Sequence, residues 1–326
     1  MLRAAGVTEP IGKGLQVRLI RFRSVSQNGI AQEGPRVGVL HGDGAPGNGT
    51  GPGLVTTLPG APALADLLSL PVRELQDLLG APGGERVPLD GVELLAPIDG
   101  RTEVWAAGVT YERSRDARID ESEDSADVYD RVYTAERPEL FFKSVSWRVR
   151  GPGRAVSVRA DSSVDVPEPE LAAVLNYAGE VAGYTICNDM SSRSIEGQNP
   201  LYLPQAKIYL GGCAVGPWIR PAWEIPDPYD LAMELIITRD GQIAWQGESS
   251  TSGLRRRVPE LASYLFREDD FPAGAILSTG TSLVPDLPFT LQPADQITIR
   301  IDGIGELSNP VVRGKNALVA AGIRRI

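Results

Sequence analysis

The chain has 326 residues, 42% of them hydrophobic and 23% charged, with a formal net charge of −10. That length suits one large core plus a smaller accessory unit. The acidity disfavours nucleic acid or an anionic membrane as partner, since neither would gain from counterion release. The sequence holds a single histidine, His41. It can hardly build a His-rich zinc or non-haem iron site, and a Ser-His-Asp triad would have to run through that one residue. Any bound metal must then take mainly oxygen ligands, which select hard cations such as Mg²⁺, Mn²⁺ or Ca²⁺. No stretch approaches the roughly 20 apolar residues of a membrane span, and the opening residues are too poor in apolar content for a signal peptide. Cys187 and Cys213 have no CxxC partner. A reducing compartment would leave them so, and a cytoplasmic protein is expected.

Residues 15–40 alternate and end in short apolar runs, which predicts strands. Gly42–Gly53 is glycine-rich and reads as a loop; within it Gly42-Asp-Gly-Ala-Pro-Gly47 matches GxGxxG formally. No helix can begin in the Asn48-Gly-Thr-Gly-Pro-Gly that follows, so a dinucleotide site is not expected there. Asn48-Gly-Thr50 is an idle glycosylation sequon in an unsecreted chain. His41 is expected at a strand end on the surface. Leu64, Leu67, Leu68 and then Leu75, Leu78, Leu79 follow helical spacing, with Pro71 opening a second helix and Gly80 ending it. A domain boundary is placed near residue 95, separating residues 1–95 from a main body, 96–326.

Beyond Val104 the chain is a succession of short β-rich runs between Gly and Pro: 104–109, 140–145, 171–175, 181–187, 231–238 and 296–301. Regular βαβ alternation is missing, which disfavours a Rossmann or TIM-barrel fold. The acidic stretch 119–136 predicts an exposed helix, with a lid over a site as the sharper alternative. Arg255-Arg-Arg257 opens an amphipathic helix and reads as a solvated turn rather than a binding patch.

The informative segment is Asp165-Val-Pro-Glu168-Pro-Glu170-Leu-Ala-Ala-Val-Leu. Carboxylates two residues apart on an extended segment point to one face. Pro167 and Pro169 keep it extended and mark a strand beginning or an edge. Two like charges on one face repel unless a cation sits between them, yet an isolated Glu-x-Glu is common on exposed edges. Three later features add weight. Val181–Asp189 reads as a buried strand ending in Asn-Asp, Lys207 follows in a weakly charged stretch, and Ser278-Thr-Gly280-Thr281 is a small hydroxyl-rich turn able to hold an anionic group.

In this order the pieces resemble the fumarylacetoacetate hydrolase superfamily. From about Pro97 to Asn309 the matching segments are 107–111, Phe141-Phe-Lys143, the Glu168/Glu170 pair, 183–189, Lys207, Gly216-Pro217, 279–281 and 301–309. The resemblance implies an α+β fold, a mixed β-roll catalytic domain behind a smaller N-terminal α/β domain. It implies Glu168, Glu170 and Asp189 as Mg²⁺ ligands, with Mn²⁺ or Ca²⁺ as alternatives, and Lys207 beside the metal. It also suggests a homodimer or homotetramer acting on a small 2-oxo acid.

The hydrolases of that superfamily place a water-activating histidine three residues after the tyrosine that Tyr111 matches. Here that position is Ser114, so hydrolysis by a Glu–His pair is not expected. The runs 108–118 and 137–143 look like the branch that dehydrates 2-keto-3-deoxy-D-arabinonate (equivalently -xylonate) to 2,5-dioxopentanoate in pentose catabolism. On that reading Lys207 and Glu139 share the roles of base and acid. Thr281 and the Gly280 amide hold the substrate carboxylate, and Arg113, with Glu112, meets its hydroxyls or closes a lid. The alternatives are acylpyruvate hydrolysis, oxaloacetate decarboxylation or dienoate isomerisation on the same metal, and, from another class, a non-catalytic binding protein on the same fold.

Overall fold

The computed structural model describes residues 17–26, 33–41, 53–60, 62–115 and 126–321. The GxGxxG match, the sequon and residues 119–125 of the acidic stretch lie outside them. Of that stretch the described part is the helix Ala126–Thr134.

Most of the sequence-predicted strands fold into one long, mixed sheet. Its spatial order runs Arg86–Pro88, Leu54–Thr57, Arg36–His41, Val17–Ser24, Cys213–Pro221, Val181–Asp189, Pro169–Leu175, Ala275–Ser278, Glu103–Gly108 and Glu139–Val145, with Val92–Leu95 also paired to Val17–Ser24. Neighbours are antiparallel except Ala275–Ser278 against Glu103–Gly108. The expected boundary near residue 95 therefore falls within a continuous sheet, since Leu19 pairs with Ile219. A second, five-stranded sheet is ordered Gln242–Ser250, Ala232–Arg239, Gln296–Ile301, Gly305–Arg313, Val156–Val158.

The central strands read as near-continuous apolar runs because both their faces are covered. Leu171, Ala173, Leu175, Tyr184 and Ile186 pack with Leu235, Ile237, Ile297, Ile299 and Leu307 of the second sheet. On the other face Ala172, Val174, Val215 and Ile219 pack with Leu64, Leu67, Leu75 and Leu79, from the helices Leu64–Leu67 and Val72–Gly80. The period of two along Leu171–Leu175 thus divides one strand between two cores. Pro71 caps the second helix, as its position predicted.

Of the two readings for Pro169 the strand entry holds, and one other local expectation changes. Pro169–Leu175 is no edge strand: it lies between Val181–Asp189 and Ala275–Ser278, with Pro169 as its first residue, where a missing N–H is tolerated. The Arg255–Arg257 turn is not simply solvated. Arg256 is buried, donates to the carbonyls of Ala135 and Glu136, and pairs with Glu260 at 2.6 Å, tying the end of the 126–134 helix to the helix Val258–Leu265. Orphan carbonyls at a helix terminus attract such a cation.

Candidate metal centre

The two central strands bring the expected carboxylates together at one end. Glu168 stands just before Pro169–Leu175, and its carbonyl accepts from the Asp189 N–H at 2.9 Å. Glu170 pairs in register with Cys187, two residues before Asp189. One oxygen of each of Glu168, Glu170 and Asp189 lies within 4.8 Å of the others. The residues are 2%, 1% and 1% exposed. Three anions taken out of water at this spacing oppose ionisation. Burial first, then Asp189, Cys187 and Glu168, pushes the Glu170 carboxyl well above the ordinary carboxylate range. A divalent cation among the three would reverse that balance, and an all-oxygen donor set suits Mg²⁺. The residues fit the ion.

Lys207 ends the short helix Leu203–Lys207 and lies against the cluster. Its Nζ donates to Glu168 Oε2 at 2.8 Å, Asp189 Oδ2 at 3.3 Å and Ser191 Oγ at 2.5 Å. The Phe141 ring lies 5.8 Å from the same Nζ. Glu170 is treated differently. Its Oε2 accepts from Ser278 Oγ at 2.5 Å and from the Gly280 amide at 2.7 Å, both neutral donors. Gly280 sits at φ +90, and a Cβ there would collide with the Thr110 hydroxyl. Glycine is required at that turn. Thr110 Oγ1 in turn donates to the Thr279 carbonyl at 2.6 Å, which fixes the turn against the strand end at Gly108.

The other expected residues are dispersed around this centre. Glu139 pairs with Gly108 across the Glu103–Gly108 and Glu139–Val145 strands. It is half-buried, and its carboxylate lies over the space a Gly108 side chain would need. The Gly280 amide, expected at a substrate carboxylate, is directed to Glu170. The Thr281 hydroxyl serves its own loop, accepting from the Leu283 N–H at 3.1 Å. Arg113 is exposed and 3.8 Å from Asp286. Ser114 is buried at 4% exposure, just after Tyr111. The phenol of Tyr111 is also buried, finds no hydrogen-bond partner among the described residues, and is pushed up by burial and then by Glu170.

Sequence reasoning named Ser278 only as part of a hydroxyl-rich turn and Lys143 only within a matching motif, and it gave Arg193 and Ser191 no role. Lys143 is 1% exposed; its Nζ donates to the carbonyls of Met190 at 3.0 Å and Lys207 at 2.6 Å and forms an ion pair with Asp189. Arg193 lies 3.7 Å from Glu168 and 3.7 Å from Glu196. A lysine inside the apolar run 140–145 was a usable signal, because a buried ammonium demands a partner. Nothing in the local sequence marked Arg193.

The surroundings match known proteins throughout. A Haloferax volcanii protein described as a probable 2-keto-3-deoxyxylonate dehydratase is 51% identical over 215 residues, 66% of this chain and 73% of its own length. A Saccharolobus solfataricus protein described as 2-dehydro-3-deoxy-D-arabinonate dehydratase is 43% identical over 226 residues, 68% of this chain and 76% of its own. A solved structure of 2-keto-3-deoxy-D-arabinonate dehydratase complexed with magnesium and 2,5-dioxopentanoate superposes with TM-score 0.74 at 34% identity, over 91% of this chain and 99% of that one. Residues 104–312, which hold the whole carboxylate and lysine cluster, match the fumarylacetoacetate (FAA) hydrolase C-terminal family model. With its mixed-sheet α+β fold and buried acidic triad, the chain belongs to the fumarylacetoacetate hydrolase family.

Proposed function

We propose that this chain is a Mg²⁺-dependent hydro-lyase that converts 2-keto-3-deoxy-D-arabinonate (equivalently -xylonate) to 2,5-dioxopentanoate. The observation that carries the reading is the buried Ser114 at the histidine position of the hydrolases, beside an intact carboxylate triad. The 51% and 43% identities to proteins described as dehydratases of this substrate support it.

Glu168, Glu170 and Asp189 would hold the ion, which would supply Lewis-acid polarisation to the 2-oxo acid end of the substrate. The 2-oxo group acidifies C3, and a base of this chain takes the C3 proton. We assign this role to Lys207: Nζ touches two of the triad carboxylates, and an adjacent dication would lower its proton affinity. Lys143 holds the Lys207 backbone from behind. Glu139 then acts as the acid, protonating the C4 hydroxyl as the C3–C4 double bond forms and water leaves. Protonation at C3 with loss of a C5 C–H proton gives the C4–C5 enol, whose O–H proton is exchanged for one at C4 to give the C5 aldehyde. Gly280 acts through Glu170, orienting that carboxylate. Thr281 shapes the turn beneath the substrate carboxylate, and Arg113 meets substrate hydroxyls at the rim.

Residues 1–95 form the smaller unit and 96–326 the catalytic one, sharing the long sheet. The active form is a cytoplasmic homodimer or homotetramer, which light scattering on the purified chain checks. No described helix is long and apolar enough to cross a membrane.

The test is to supply 2-keto-3-deoxy-D-arabinonate with Mg²⁺ and with a chelator while following 2,5-dioxopentanoate. Metal-dependent formation is expected. Absence of turnover, or turnover of an acylpyruvate instead, would overturn the dehydratase reading.

A further inference from the structure

A second polar concavity shares no residue with the carboxylate cluster. It is a cavity of about 520 Å³ between the strand Val17–Ser24, the segment 94–100 and the segment 146–154. Four of its side chains are arginines: Arg21, Arg23, Arg150 and Arg154. Arg21 and Arg23 are two residues apart on one strand and so share a face.

The opposing charge is small and already engaged. Arg21 Nε donates to Asp99 Oδ2 at 3.1 Å, but Asp99 also accepts the N–H groups of Leu64 and Ala65 at 3.1 and 2.9 Å. Arg23 Nε donates to Glu93 Oε2 at 2.6 Å, while the other Glu93 oxygen pairs with Arg154. Arg150 has no carboxylate: its Nε donates to the Ala155 carbonyl at 2.8 Å. Both its terminal nitrogens are without a protein partner among the described residues. Four guanidinium charges thus meet two carboxylates, an excess of two, in a chain whose net charge is −10.

The clamps hold these groups in place rather than neutralising them. Asp99 and Glu93 fix the Nε edges of Arg21 and Arg23, and the Ala155 carbonyl fixes that of Arg150. Burial lowers the proton affinity of Arg150; burial and then Arg23 lower that of Arg154. Of these two groups, Arg154 feels a neighbouring positive charge, that of Arg23. Trp147, 57% exposed, adds an aromatic surface to the wall.

We propose that this cavity binds a small dianion, a phosphate group or a dicarboxylate, through Arg150 and Arg154 with Arg21 and Arg23 behind them. Guanidinium forks match both anions in bidentate geometry. The volume lies in the range of roughly 300–1,000 Å³ usual for small-ligand sites, and two excess charges ask for a ligand of charge −2. The site is independent of the carboxylate centre and of the reaction proposed for it.

Calorimetric titration of the Mg²⁺-loaded enzyme at constant ionic strength, with inorganic phosphate in one arm and succinate in the other, tests the inference. Saturable binding of either is expected; the tighter arm assigns the phosphoryl or the dicarboxylate source. Arg150→Gln and Arg154→Gln should each weaken that binding by about tenfold, roughly the loss of one charge-assisted pair. The Arg154 side chain is 42% exposed, so Arg154→Gln carries the test should Arg150→Gln fail to fold. No saturable heat in either arm, or binding equal in the parent and the Arg154 variant, overturns the proposal.

Discussion

The carboxylate centre and the arginine cavity are both clusters of like charge, and they are stabilised in opposite ways. In the first, three acids are almost wholly withdrawn from water and met by buried cations at close range, Lys207 on two of them and Lys143 on Asp189. In the second, Arg21, Arg23 and Arg154 keep a fifth to nearly half of their side-chain surface exposed, at 20%, 32% and 42%, and Arg150 is half-buried. Water screens the second cluster and cannot screen the first. Charge removal should therefore be severe at the carboxylate centre and mild at the cavity.

The largest effect is expected from Glu168→Gln, which removes one ligand and one partner of Lys207. Turnover should fall by about 10³-fold or more, as expected when a preorganised electrostatic group is lost, and a Mg²⁺ titration should show no binding. Full metal affinity in this variant would dissolve the contrast.

Lys143→Met should come next. It leaves Asp189 without one buried cation and frees the Lys207 backbone. Breaking such a pair costs about 3–5 kcal/mol, to be read as a lower denaturation midpoint, with Mg²⁺ restoring part of it by binding the folded state. A loss below about 1 kcal/mol would mean the centre is better solvated than its burial indicates.

Gly108→Ala separates geometry from charge. The new methyl would collide with the Glu139 carboxylate, so turnover should drop by about 10²-fold, the scale of one misplaced acid–base group, while metal binding holds. Loss of both together would count against Glu139 as the acid.

Mg²⁺ affinity should fall as the solution is acidified. The Glu170 carboxyl is held above its ordinary value by burial and by Asp189, so ion and proton compete for it over a range that begins above the usual carboxylate pKa. Titrations in buffers of different ionisation enthalpy should show proton release on binding; an affinity flat with pH would contradict it.

The smallest effect belongs to the cavity. Arg154→Gln should shift folding stability by only about 0–1 kcal/mol, the usual worth of an exposed pair. A loss above 3 kcal/mol in a denaturant titration, a size reserved for buried pairs, would make the cavity a structural ion-pair network rather than a solvated cluster.

The sequence by itself determined the strands, the Pro71 helix start and which carboxylates could hold a metal. Apolar alternation and proline chemistry act over a few residues, and Glu168 and Glu170 share a face by backbone geometry alone. The ordered motifs extended that to Asp189 and Lys207. The tertiary structure alone decided that Pro169–Leu175 is central rather than an edge, since strand neighbours arrive from 108 residues away, as the Ser278–Glu170 bond shows. It also decided that the Gly280 amide serves Glu170, that Lys143 backs Lys207, and that arginines from two distant segments meet in one cavity. A residue's type sets what it can bind, but which partner it meets depends on how distant segments pack, and no local pattern encodes that distance.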